Sequence, residues 1–403
     1  MKSLKCLMIF CIAAILISSC QSQSVVTTSP SEVPTLVTLP TAINVPVIVA
    51  TETATNTPSD FLARLDLSIA GDAPGDYEWS PDGSSLLLGA QNTGSFLVNI
   101  SPDLKKWKIL DSGDAGDKQT GLRPSWSADG NWIVYCKATG IRPATTNSNS
   151  ATGIKLASRR GLASSTRGGG PDIPIYEVFK IRKDGSENQQ ITQLGADFCG
   201  KTKWSSDGKL IAVFWTKDSE DHLGILTNGS SLQEIVPEIN PSGGSWSPDG
   251  TTLAITGGNE LYIVKPDGSS LRMIPGISGV LGVPLWSKDA KTLVYMREDG
   301  IYIADITSGN NHRLTEGRLY DSQSVLSPDG KWITFSSDRT GEPQVYIIKI
   351  DGTALLTYRD SGFEDRDPIW SPDGKRLTFL SFQSGSGGGN IIVVPLSMFV
   401  SVQ

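Results

Sequence analysis

Trp246-Ser247-Pro248-Asp249-Gly250, followed by Thr252 to Thr256 (TLAIT), carries the fold of this chain in one phrase. Trp246 and Ser247 end a short strand. Pro248 fixes φ, Asp249 bonds back to the main chain and Gly250 accepts a positive φ, so the three make a tight turn. The β-rich run that follows reads as a second strand. Leu261 to Val264 forms a third strand, Pro266-Asp267-Gly268 a second turn and Leu271 to Ile274 a fourth strand. The unit is a four-stranded meander.

The phrase begins seven times, at Trp79, Trp126, Trp204, Trp246, Trp286, Leu326 and Trp370. The starts are 47, 78, 42, 40, 40 and 44 residues apart. A period of ~40–45 residues is the length of a propeller blade. The third strand and its turn recur over residues 176–185, 301–307 and 345–352. No stretch sustains a helical period, which makes the domain all-β. The last repeat, Trp370 with 377–380 and 391–394, lacks a fourth strand. Residues 61–69 precede the first motif and alternate cleanly, with Phe61, Ala63, Leu65, Leu67 and Ile69 on one face. The expectation is a seven-bladed β-propeller over residues 60–403, built of four-stranded antiparallel blades. The N-terminal strand closes the ring in the last blade, which removes exposed sheet edges. Six of the ten Trp lie inside the motifs, and Leu326 shows that the slot asks for bulk rather than an indole.

The segment before the domain is of another kind. Lys2 and Lys5 precede an apolar run over 7–17, long enough for a signal core and too short to cross a bilayer. Ile17-Ser18-Ser19-Cys20 resembles the lipobox of bacterial lipoproteins. That resemblance implies cleavage after residue 19, a lipid on Cys20 and attachment to the outer side of a membrane. Residues 20–59 are rich in Thr, Ser and Pro, with five prolines, and read as a stalk. Loss of Lys2 and Lys5 takes the net charge from −7 to −9. An acidic domain argues against nucleic acid as a partner. Of five Cys, only Cys136 and Cys199 fall inside the domain. Export permits a disulfide, but the pair is read as two buried thiols.

Trp-Ser-Pro-Asp-Gly ahead of an apolar strand resembles the repeat of TolB-type β-propellers. Ser337 to Tyr346 (SDRTGEPQVY) is similar to the most typical segment of that repeat. The resemblance implies the fold. It does not imply one function, since such propellers serve in translocation proteins, peptidases and sugar lyases. A stalk and lipobox stand where TolB carries an extra domain, and no hydrolase domain is expected, so neither a Tol–Pal role nor a peptidase follows.

Three chemical leads fail on context. Gly195 to Thr202 satisfies GxxxxGK[ST], but the hairpin of the third repeat follows it where a phosphate loop needs a helix. His222 and His312 stand in separate repeats without ligand spacing, so no metal is expected and both read as solvated loop residues. No GxSxG elbow occurs. No catalytic residue and no cofactor are therefore assigned.

The functional surface is read from geometry instead. Loops entering each motif ring one mouth of the channel. The residue three before each motif start is Asp76, Arg123, Lys201, Gly243, Val283, Gln323 or Asp367. Tyr77, Tyr320, Asp321 and 364–366 stand nearby. Mixed charges with aromatics suit a protein or a polar small molecule. The 78-residue spacing also marks an insertion, residues 138–171, with Arg142, Lys155, Arg159, Arg160 and Arg167 and no acid. It reads as a basic arm for an anionic partner. Partner-binding candidates are thus Asp76, Tyr77, Arg123, Lys201, Gln323, Asp367, Arg142, Arg159 and Arg160. The chain reads as a monomeric, non-catalytic binding or scaffold module for a protein or an envelope polymer. The alternatives are a sugar lyase or hydrolase with carboxylates over the channel, and a sensor for a membrane partner.

Overall fold

The computed structural model describes residues 47–54, 61–68, 76–91, 95–112, 123–143, 172–227, 231–316, 322–358, 363–383 and 389–402. The leader, Cys20, the stalk up to residue 46, Tyr320, Asp321 and residues 144–171 with Arg159 and Arg160 lie outside the described residues.

The motif builds its own turn. Ser247 Oγ donates to Asp249 Oδ1 at 2.5 Å and accepts the N–H of Thr252 at 3.0 Å. The Gly250 N–H donates to the Ser247 carbonyl at 2.9 Å. The Ser-to-Asp bond repeats at Ser80, Ser127, Ser205, Ser287, Ser327 and Ser371. Polar motif residues thus satisfy one another and the main chain, which frees the Trp to pack.

Seven antiparallel sheets result, one per motif. Blade one contains Tyr77–Trp79, Leu86–Gln91, Ser95–Ile100 and Trp107–Ser112. Blade two contains Ser125–Trp126, Trp132–Pro143, Asp172–Arg182 and Gln189–Gln190. Blade three contains Phe198–Trp204, Leu210–Lys217, Glu220–Thr227 and Gln233–Ile235. Blades four and five begin at Pro241–Trp246 and Leu281–Trp286. Blade six runs from Ser322–Leu326 to Leu356–Tyr358, and a strand absent from the sequence reading, Phe399–Ser401, adds to its outer edge. Blade seven has Phe363–Trp370, Arg376–Gln383 and Gly389–Pro395. Phe61–Ser68 pairs with Gly389–Pro395 as its fourth strand. Val47–Ala54, placed in the stalk from sequence, is instead a fifth strand paired with Phe61–Ser68. Its β-branched run lies between Pro46 and Pro58 and contains no proline, so nothing blocks its ladder.

Buried apolar side chains form seven clusters, one at each seam between blades. The seam of blades one and seven joins Tyr77, Trp79 and Leu88 to Leu380, Ile391 and Val393, which closes the ring. The turns close it too. A Cβ on Gly130 would meet Pro81 of the preceding blade at 3.6 Å, one on Gly374 would meet Pro328 at 3.7 Å, and one on Gly83 would meet Pro372 at 3.8 Å. In blade five Ala290 takes this glycine position, at φ 57°.

The indole N–H of a motif Trp ties its blade to the previous one. Trp246 donates to the Lys203 carbonyl at 3.0 Å, Trp286 to that of Ser245 at 3.1 Å and Trp370 to that of Val325 at 3.2 Å. Trp79 uses the Thr378 hydroxyl at 3.0 Å. The Trp126 and Trp204 indole nitrogens are buried and have no acceptor among the described residues. Both flank blade two. Here a covalent tie stands instead: Cys136 and Cys199 form a disulfide, with Cα atoms 6.0 Å apart. This corrects the reading of two thiols. The second strand of blade two and the first of blade three pack directly, so the register brings the two Cys into bonding range.

Candidate functional site

In an antiparallel meander the motif turn and the entry to the first strand sit at opposite ends. The entry loops therefore share one end with the hairpins joining second and third strands. First strands of successive blades touch one another, so that end surrounds the channel.

Three of the expected mouth residues converge. Lys201 Nζ lies 3.2 Å from Asp76 Oδ1 and Arg123 Nε lies 3.9 Å from Asp76 Oδ2. Two residues further along each strand, Lys203 Nζ lies 3.3 Å from Glu78 Oε1. Residues two apart on a strand face the same way. Blades one and three therefore face each other through two rungs of ion pairs that pass over the short first strand of blade two. The Arg123 guanidinium also lies over the Phe198 ring, 4.6 Å from its centroid, a cation–π contact.

Burial pushes the Asp76 carboxyl up, but the charges of Lys201 and Arg123 outweigh it and leave the value below the ordinary one. Asp76 is therefore held as an anion. Tyr77 is driven the other way, first by burial and then by Asp367 and Asp76. Its phenol stays protonated and donates to the Asp367 carbonyl. Asp367 itself has φ 57°, and its N–H donates to Ser336 Oγ at 3.0 Å. Glu364 and Arg366 pair with each other. Gly243 and Val283 face each other on blades four and five, where a Cβ on the glycine would meet the valine at 3.2 Å. The entry positions of blades one to three thus carry linked charges, whereas those of blades four and five are a glycine and a valine. Gln323 lies in the first strand of blade six, where only its backbone is described.

Arg142 pairs through its backbone with Ile173 near the end of the long hairpin of blade two. That hairpin outreaches its neighbours and leaves Ile141 65% exposed. The insertion thus leaves the blade at the mouth end.

The rejected leads have plain locations. Gly195 to Thr202 runs into the strand Phe198–Trp204, and its lysine is committed to Asp76. His312 lies on the exposed outer strand of blade five. Among the described residues no group of three His, Cys, Asp or Glu stands close enough to hold a metal. Both histidines were misread as loop residues, since His312 too lies in a strand, Asn311–Arg313, and His222 is the more enclosed of the two. It lies in the strand Glu220–Thr227, stacked on Trp215 with ring centroids 5.0 Å apart. The ion pairs between non-adjacent blades also escaped sequence reasoning, which has no register for strands that share no hydrogen bond.

The family model described as the TolB beta propeller domain matches residues 245–398. An uncharacterized protein of Agrobacterium fabrum is 30% identical over 225 residues, covering 51% of this chain and 72% of that protein. The Tol-Pal system protein TolB of Bordetella pertussis is 33% identical over 138 residues, which span 30% of this chain and only 29% of that relative. Among solved structures, oligogalacturonate lyase in complex with manganese matches with a TM-score of 0.59 at 16% identity, over 88% of this chain and 99% of that one. At that identity the likeness concerns the fold alone.

Proposed function

Since the chain belongs to the TolB-like β-propeller family, we propose that it is a non-catalytic binding module which engages a protein of the cell envelope through the mouth of blades one to three. The observation that carries this reading is the state of the polar groups there. Asp76 is held ionised by Lys201 and Arg123, and the Tyr77 hydroxyl is committed to a main-chain carbonyl. A general acid or base needs a proton value near the working pH, and Asp76 is shifted away from it. A preorganised patch of fixed charges with an aromatic ring suits recognition instead. The Bordetella relative is named as part of a Tol–Pal system, which supports a partner within an assembly.

In this reading a lipid on Cys20 holds the domain, as a monomer, at the outer side of a membrane. Arg142, Arg159 and Arg160 add a basic arm beside the patch for an acidic partner surface. Two substitutions test the parts separately. Cys20→Ser should move the protein from the membrane fraction to the soluble exported fraction. Lys201→Glu should abolish partner capture by the purified domain while the far-UV circular dichroism stays unchanged. Capture at wild-type level by Lys201→Glu would refute mouth docking, and an unaltered membrane fraction for Cys20→Ser would refute the lipid anchor.

A further inference from the structure

A groove with a volume of 850 Å³ lies on the outer rim where blade two meets blade three, lined by none of the ion-paired residues of the mouth. The groove is open along much of its length, which suits a chain lying across the surface rather than an enclosed small molecule. Trp215 and His222, cross-strand partners in one hairpin, stack here with planes 10° apart. Glu234 Oε1 lies 2.6 Å from His222 Nδ1. Glu234 engages Nδ1, so Nε2 is the ring nitrogen that takes no part in that bond. Lys217 Nζ is steadied by the Leu194 carbonyl at 3.1 Å, and Gln190 Nε2 by that of Thr192 at 2.6 Å. An ammonium has three protons and an amide has both a donor and an acceptor end, so these groups retain capacity toward the groove. Gln193 adds an exposed amide at the lip.

The charges decide the ligand class. Lys217 and Glu234 oppose each other across the lining, so neither sign dominates it. A charged ligand would be attracted by one side and repelled by the other. A ligand with many hydroxyls meets donors and acceptors alike, and its C–H groups lie against the part-exposed His222 ring that covers the buried Trp215. We propose that this rim groove is a binding site for a neutral saccharide segment, separate from the protein-docking mouth.

Calorimetric titration of the full-length protein in a zwitterionic detergent tests it, with chitotetraose and maltotetraose as neutral probes and trigalacturonate as the charged one. At least one neutral probe should bind saturably with a Kd of about 0.1–1 mM, and trigalacturonate at least about fivefold more weakly. His222→Ala should weaken the neutral probe about tenfold, equivalent to ~1.4 kcal/mol. Gln193→Ala, which removes only an exposed amide, should weaken it about threefold with the melting temperature unchanged, so it decides the matter if His222→Ala fails to fold. Hydrogen exchange should show protection by the probe at 189–194 and 215–222. The proposal is overturned if neither neutral probe saturates below ~10 mM, if trigalacturonate binds as tightly, or if protection falls at the mouth instead.

Discussion

At the scale of single residues, the motif is a set of local hydrogen bonds with measurable strength. Ser80 and Ser84 hold the Asp82 carboxyl down to about 2, and Lys209 and Ser205 do the same for Asp207, also to about 2. These folded-state values lie below the unfolded value near 4. The stabilisation is therefore fully present above that pH and is lost as pH falls toward 2. Urea midpoints measured at about pH 7, 5 and 3 should be level at first and then drop. Ser80→Ala should shrink that drop, and an unchanged acid slope would show that Asp82 gains nothing from the serine. The turn glycine is the other local test. Ala290 sits at φ 57° where six motifs place Gly. A left-handed alanine costs roughly 1–2 kcal/mol, partly offset by the greater entropy that glycine loses on folding. Ala290→Gly should raise unfolding stability by about 0.5–1 kcal/mol at constant m-value.

At the scale of elements, blade two departs from its neighbours. Its first strand has two residues, Trp126 and Trp204 lack the indole tie, and the Cys136–Cys199 bridge spans its seam with blade three. At a sequence separation of 63, the cross-link should contribute about 4 kcal/mol by restricting the unfolded chain. The Cys136→Ser, Cys199→Ser double variant should melt well below wild type. Equal melting temperatures with and without reductant would remove the bridge from the stability of the seam. The blades themselves were legible from sequence because each motif encodes its own turn within five residues. The bridge was not, because pairing depends on how two blades pack, and spacing in the chain says nothing about that. Val47–Ala54 was missed for a similar reason. Composition marked residues 20–59 as stalk, yet a short β-branched run becomes a strand once an edge is offered to it. Phe399–Ser401, pairing back onto blade six, likewise has no motif to announce it.

At the scale of the whole molecule, the seven seam clusters and the abutting turns make a closed ring, and closure decides what is free to work. The motif end is filled by turns that pack on one another. The mouth end carries the loops, the long hairpin of blade two and the two ion-pair rungs between blades one and three. Naming Asp76, Arg123 and Lys201 was within reach of sequence, since each precedes a motif by three residues. Their convergence on one carboxylate was not, because Lys201 crosses to a blade two places away in the ring. The most direct test is photocrosslinking in cells from single positions on the two ends, Arg123 and Phe198 at the mouth against Thr251 and Lys331 at the motif turns. Adducts with one protein from the mouth positions, and none from the turns, are the expected result. Equal adducts from both ends, or adducts from the turns alone, would contradict a propeller that docks its partner through the mouth of blades one to three.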